Sequence, residues 1–188
     1  MTLAAPEDFK QELTRVVPHL RAFARGLCGR ADVADDLVQE TLLRAWSARG
    51  RFEAGSSMRA WTFTILRNAY LTEMRRNRFR GEYDEAQAER ILVAPAEQEG
   101  PMHLADVSRA LMALSAERRE ALLLVGAGGF SYEEAAEVCG CALGTIKSRV
   151  ARGRAQLSAM IEGGRLPGRE EAAQDIIAQL ERIRPTEE

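Results

Sequence analysis

Phe130-Ser-Tyr-Glu-Glu-Ala-Ala-Glu-Val-Cys-Gly-Cys-Ala-Leu-Gly-Thr-Ile-Lys-Ser-Arg-Val150 reads as two short helices joined by a turn. Ser131 and Glu134 form the pattern of a capping box, in which each side chain satisfies a backbone N–H of the other at a helix start. Ala135 and Ala136 are small enough to let a second helix approach closely. Gly140 supplies the turn, and beyond it Leu143, Ile146 and Val150 recur at three- and four-residue steps. This is helix-turn-helix spacing. The second helix presents Thr145, Lys147, Ser148, Arg149 and Arg152 outward. Such a helix fits the major groove, where arginine and lysine read guanine or hold phosphate. A purely structural helix pair with a basic surface is the alternative at this point.

Outward from this segment the same period recurs. Leu104, Val107, Ala110, Leu111 and Leu114 mark a preceding helix, and Ser115 is placed to cap another over about 116–126, before the break at Gly128-Gly129. Phe9, Leu13, Val16, Val17, Leu20, Phe23, Ala24 and Leu27 predict a first amphipathic helix, stopped near Gly26–Gly29. Val33, Leu37, Val38, Thr41, Leu42 and Ala45 predict a second, behind an expected Asp32 cap. A loop from Arg49 to Ser57 follows, and Ser57 is placed to cap a long helix from Met58 to about Phe79. No repeat and no strand pattern is visible, so the expected fold is all-α.

Charge divides the chain. Arg59, Arg67, Arg75, Arg76, Arg78 and Arg80 face only Glu73, whereas Glu82, Asp84, Glu85, Glu89, Glu97 and Glu99 face only Arg90. The acidic stretch holds Pro95 and ends in Gly100-Pro101, the composition of a flexible linker. The expected organisation is a helical domain at 8–82, a linker at 83–102, a helical domain at 103–163 and a tail at 164–188. The tail contains a short amphipathic run, Ile176, Ile177, Leu180 and Ile183.

Composition narrows the function classes. The chain has 188 residues, 46 % apolar and 29 % charged, which is globular rather than disordered. Aromatics at 6 % are too few for an all-β domain. Cys28, Cys139 and Cys141 are an odd set, unsuited to a disulfide framework. His19 and His103 lie far from them in sequence, so no metal site and no cofactor is expected. The reading is small buried thiols in a reducing cytoplasm. The first residues lack a basic start with an apolar core, so no signal peptide is expected, and no segment has the apolar length of a membrane span.

Two further constellations remain. Asp36, Gln39, Glu40 and Leu43 share one helix face, either as solvated surface or as a docking stripe for a basic partner helix. The long helix mixes Trp61, Phe63 and Tyr70 with arginines. Trp61, Ile65 and Ala69 are expected toward the core, leaving Arg67, Asn68, Arg75 and Arg76 on the polar side. Arginines interleaved with rings suit single-stranded nucleic acid, where one neutralises phosphate and the other stacks on bases. No nucleophile, metal-ligand set or phosphate loop accompanies these groups, so no enzyme is expected.

Asp35-Asp-Leu-Val-Gln-Glu-Thr-Leu-Leu-Arg-Ala-Trp46, Met58-Arg-Ala-Trp-Thr-Phe-Thr-Ile-Leu-Arg-Asn68 and Gly144-Thr-Ile-Lys-Ser-Arg-Val150 resemble the extracytoplasmic-function (group 4) RNA polymerase sigma factors. Pro18-His-Leu-Arg-Ala-Phe-Ala-Arg25 and Gly129–Cys141 resemble the EcfG-type, general-stress-response branch of alphaproteobacteria. The resemblance covers about 9–161 and implies a sigma-2 and a sigma-4 domain. It implies that Asp36, Gln39 and Glu40 dock on the β′ clamp of core RNA polymerase, while sigma-4 meets the β flap. It further implies that Phe52, Ser56 and Ser57 of the loop, with Trp61, Arg67 and Asn68, hold the melted −10 element. Arg75 and Arg76 on the same helix join that expected set. Lys147, Ser148, Ala151 and Arg152 match the reader of the −35 duplex, beside Thr145 and Arg149. The branch is silenced by a small anti-sigma protein that clamps both domains. Alternatives are a sigma-like decoy that binds an anti-sigma protein without using promoters, and a dimeric helix-turn-helix repressor.

Overall fold

Apolar residues at helical spacing dictate the architecture of the computed structural model, which describes residues 6–80 and 104–162. Seven α-helices run through these residues, with no strand element among them: α1 Pro6–Cys28, α2 Ala31–Ser47, α3 Met58–Arg80, α4 Leu104–Met112, α5 Ala116–Leu122, α6 Tyr132–Cys139 and α7 Leu143–Glu162. The expected linker and tail lie outside the described residues.

In the N-terminal half, α1 buries Phe9, Leu13, Val16, Leu20, Phe23, Ala24 and Leu27 against α2 and α3. Pro18 interrupts its hydrogen-bond ladder, but on the exposed side, where the carbonyl it frees belongs to the exposed Thr14. Asp35 ties α1 to α2 through Arg21 and Arg25, each at 3.8 Å. The expected Asp32 cap is replaced. Arg30 is the N-cap residue of α2 and makes no side-chain cap bond, and Asp32 sits in the first turn, accepting from Arg30 Nε at 3.0 Å. That bond holds the Asp32 carboxyl below its usual range. Ser57 does cap α3: its Oγ accepts from the Ala60 N–H at 3.2 Å. Two buried threonines return their hydroxyls to the preceding turn, Thr41 to the Leu37 carbonyl and Thr62 to that of Met58, both at 2.7 Å. Each therefore fills the core without an unpaired polar group.

In the C-terminal half, α6 starts with the complete capping box. The Glu134 N–H donates to Ser131 Oγ at 3.1 Å, and the Ser131 N–H donates to Glu134 Oε2 at 2.8 Å. Gly140 closes α6 with φ +62°, the left-handed conformation glycine adopts freely. Ile146 and Val150 seat α7 beneath it, and Arg118 of α5 donates to Gln156 at 2.8 Å. Ser115 occupies the N-cap position of α5 without a side-chain bond. α5 also ends sooner than expected. It widens into a π turn, Leu123–Ala127, closed by the Gly128 N–H on the Leu123 carbonyl at 2.7 Å.

The two halves share one core. Phe63 of α3 lies 4.9 Å from Phe23 on one side and 4.9 Å from Phe130 on the other, so one fully buried ring joins both halves. Leu123 fills a notch over Gly26, where a Cβ would come within 2.5 Å of its Cδ2. Arg67 of α3 donates to Glu120 of α5 at 2.7 Å, with only 19 % and 9 % of the two side chains exposed. The π turn presents Leu123 to α1.

Candidate nucleic-acid and polymerase surfaces

The three surfaces marked in the sequence differ in what the fold has done with them. On α2, Asp36, Gln39 and Glu40 are all exposed on one face. Glu40 accepts from Arg44 Nε at 2.7 Å, a pair open to water and readily exchanged for a partner's base. Leu43 continues this face with 65 % of its surface exposed, an apolar anchor beside the carboxylates. Trp46, which the sequence reading did not single out, is 42 % exposed and carries the Arg49 guanidinium over its ring at 5.1 Å. Its signal is its place one turn beyond Leu42 and Leu43, at the end of the stripe.

On α3 and its preceding loop the expected set is split. Phe52 is not available to a DNA base: it is 2 % exposed, packed 5.6 Å from Phe9 and 5.2 Å from Trp61. It anchors the loop instead. Trp61 and Ile65 pack against the core as expected but stay half-buried, and the buried positions of α3 are Met58, Thr62, Phe63, Leu66 and Ala69. Ser56 and Ser57 are exposed at the loop end, Ser56 Oγ donating to the Glu53 carbonyl at 2.7 Å. Asn68, Arg75 and Arg76 are exposed. Arg67 is not on the free polar side, because Glu120 of the other half holds it. Arg59 behaves similarly: its Nη2 donates to the Gly129 carbonyl at 3.1 Å, and its guanidinium lies 4.4 Å from the Phe130 ring.

On α7 the expected reading face is open. Lys147, Ala151 and Arg152 are exposed, and Thr145, Ser148 and Arg149 are half-buried beside them. Ser148 Oγ donates to the Thr145 carbonyl at 2.9 Å, and Arg149 Nη1 lies 3.9 Å from Cys141 Sγ. The outermost groups are thus Lys147 and Arg152, with the small Ala151 between them permitting close approach to a groove floor.

The thiols of Cys28 and Cys139 are both pushed up to about 12, chiefly by burial, which leaves them protonated at neutral pH. Among the described residues no group of three potential ligands converges for a metal ion, and no helix is long and apolar enough to cross a membrane.

Comparison with known proteins gives these surfaces a context. The family model for sigma-70 region 2 matches residues 13–80, and that for sigma-70 region 4 matches residues 104–157. The ECF RNA polymerase sigma factor EcfG of Rhodopseudomonas palustris is 47 % identical over 82 % of this chain and 86 % of its own length. The ECF sigma factor SigC of Mycobacterium tuberculosis is 43 % identical over 72 % and 74 %. Among solved structures, the sigma factor RpoE of Bartonella quintana, in complex with the anti-sigma factor NepR, is 47 % identical and superposes with a TM-score of 0.71. That match covers 83 % of this chain and 98 % of RpoE.

Proposed function

The chain belongs to the extracytoplasmic-function sigma factors, and on that premise we propose how its surfaces divide the work of promoter-specific initiation by RNA polymerase. Asp36, Gln39 and Glu40 dock on the basic coiled coil of the polymerase β′ clamp, with Leu43 as the apolar centre of the contact. Region 4 meets the β flap. The exposed face of α7, led by Lys147 and Arg152, reads the −35 duplex, with Ser148, Ala151, Thr145 and Arg149 completing the contact. The end of the loop at Ser56 and Ser57 and the polar side of α3, with Asn68, Arg75 and Arg76, hold the melted −10 strand. Trp61 supplies the edge of its ring, and Arg67 joins once the halves part. Regulation runs through a small anti-sigma protein in a general stress response, in the cytoplasm where polymerase works.

The observation that carries this reading is the sorting of reading groups onto two halves of one chain. A groove helix sits on one half, and a ring-and-arginine helix on the other. Each surface offers only a few exposed basic groups of the proposed sites, Lys147 and Arg152 on α7 and Arg75 and Arg76 on α3, so each alone binds weakly. Polymerase makes the pair effective by presenting both to one DNA, which turns the second contact into an intramolecular event. The test is reconstituted transcription with core polymerase of the same host and a library of its promoters. Starts that share two spaced upstream elements support the assignment. Core binding without transcripts, or no core binding, contradicts it and favours an inhibited or decoy role.

A further inference from the structure

Region 4 supplies an acceptor to each of two arginines on one face of α3. Glu120 accepts from Arg67 at 2.7 Å and the Gly129 carbonyl accepts from Arg59 at 3.1 Å. The two arginines are eight residues apart, hence on neighbouring rows of the helix and about 12 Å apart along it. Arg59 also lies 4.4 Å from the centre of the Phe130 ring. A carboxylate on one guanidinium, and a carbonyl with a flat ring on the other, reproduce the chemistry of a nucleic-acid strand. Phosphate oxygens accept from arginine, and bases stack on its guanidinium plane. Meanwhile Lys147, Ala151 and Arg152 on α7 stay exposed in the same closed chain.

We propose that Arg59, outside the site expected from sequence, holds the melted −10 strand together with Arg67, and that region 4 covers both in the closed chain with stand-ins for that strand. The inference rests on the assignment of α3 to single-stranded DNA. The closed chain then discriminates: duplex can approach α7, but single strand cannot displace region 4 from α3 without parting the halves. Opening returns Glu120 to water and leaves both Arg67 and Arg59 without the acceptors that region 4 gave them, and strand phosphates meet that need. The contact can be loosened away from the arginines, because Leu123 occupies the notch over Gly26. A leucine at 26 cannot share that notch, yet suits the helix.

The experiment uses the full chain and a fluorescein-labelled, mixed-sequence 20-nucleotide single strand, with its duplex as the control. Gly26→Leu opens the interface, as checked by an increased radius of gyration in small-angle scattering with unchanged helix content. Glu120→Gln, which keeps the shape and removes the charge, is the second variant. If about one wild-type molecule in ten is open, each variant gains up to about tenfold in single-strand affinity. Duplex affinity stays within about twofold, since α7 is equally exposed in both forms. Arg59→Ala placed in the Gly26→Leu chain then weakens single-strand binding and lowers the log–log salt slope by about 0.7, the signature of one lost phosphate contact on a single strand. No gain on opening, or an Arg59→Ala change that leaves affinity and slope alone, overturns the proposal. Asn68→Ala in the same background separates the levels. If it weakens binding where Arg59→Ala does not, only this proposal falls; if neither does, the assignment of α3 falls too.

Discussion

α7 and α3 are both basic helices, each with a proposed DNA-facing role, and the fold treats them oppositely. α7 packs on α5 and α6, its neighbours in sequence, and turns Lys147 and Arg152 to water. α3 is covered on two sides, by α1 and α2 of its own half and by α6 of the other, with Glu120 and Phe130 reaching it from the same side as α6. Its arginines are therefore divided: Arg75 and Arg76 are exposed, while Arg59 and Arg67 are held by region 4. The difference teaches that a helix's reading face is decided by its most distant contact. Where all contacts are local, periodicity puts the outermost charges, Lys147 and Arg152, in water, although Thr145, Ser148 and Arg149, expected outward beside them, are half-buried. Where a second domain docks, polar residues between the apolar rows become interface.

The largest expected effect tests whether α3 truly belongs to both halves. Phe63→Ala removes the ring that touches Phe23 and Phe130 and should cost about 3–5 kcal/mol. Protection of amides in α6 should drop together with that in α1. Loss confined to the N-terminal half would break the comparison, because the core would not be shared. Next, reversing charge at Asp36 and Glu40 to lysine should weaken core-polymerase binding by at least tenfold with helix content intact, since like charges then meet a basic coiled coil. Fluorescence titration with core polymerase reads this, and unchanged binding removes the stripe from the docking site. Arg152→Ala, on the open helix, should weaken −35 duplex binding by about tenfold, most strongly at low salt. A loss that ignores salt points to folding rather than phosphate contact. The smallest effect belongs to Ser131→Ala, which removes half of the capping box and should cost about 1 kcal/mol. It should loosen α6 and, through it, the placement of α7, while the face of α2 keeps its affinity for core polymerase.

Much of the fold was legible because its signals are local. The capping box at Ser131, the turn at Gly140, the Ser57 cap and the apolar rows of α1, α2 and α7 each depend on residues within a turn or two. The N-cap position of α2 lies two residues before the expected Asp32 cap because Arg30 and Asp32 pair with each other, leaving the helix without the side-chain cap that Asp32 offered. The π turn after α5 was invisible, since it follows from docking on α1 rather than from propensity. At the site, the exposed positions of α2 and α7 followed from periodicity. Phe52 did not: an aromatic residue in a loop reads as a stacking surface until Phe9, far upstream, closes over it. Arg67 read as free because its partner, Glu120, is 53 residues away across the acidic stretch. Arg59 counted toward the basic charge of its segment but not toward the site for the same reason, its acceptor lying 70 residues on.

The most direct test of the account is the distance between labels at Glu12 in α1 and Ser158 in α7, both exposed, measured by single-molecule fluorescence transfer in the free chain and on core polymerase. The account predicts one short distance in the free chain and a longer one on polymerase, as region 4 leaves α3 and its two arginines become free for DNA. The same short distance in both would contradict it, because α3 would then remain covered while the promoter is read.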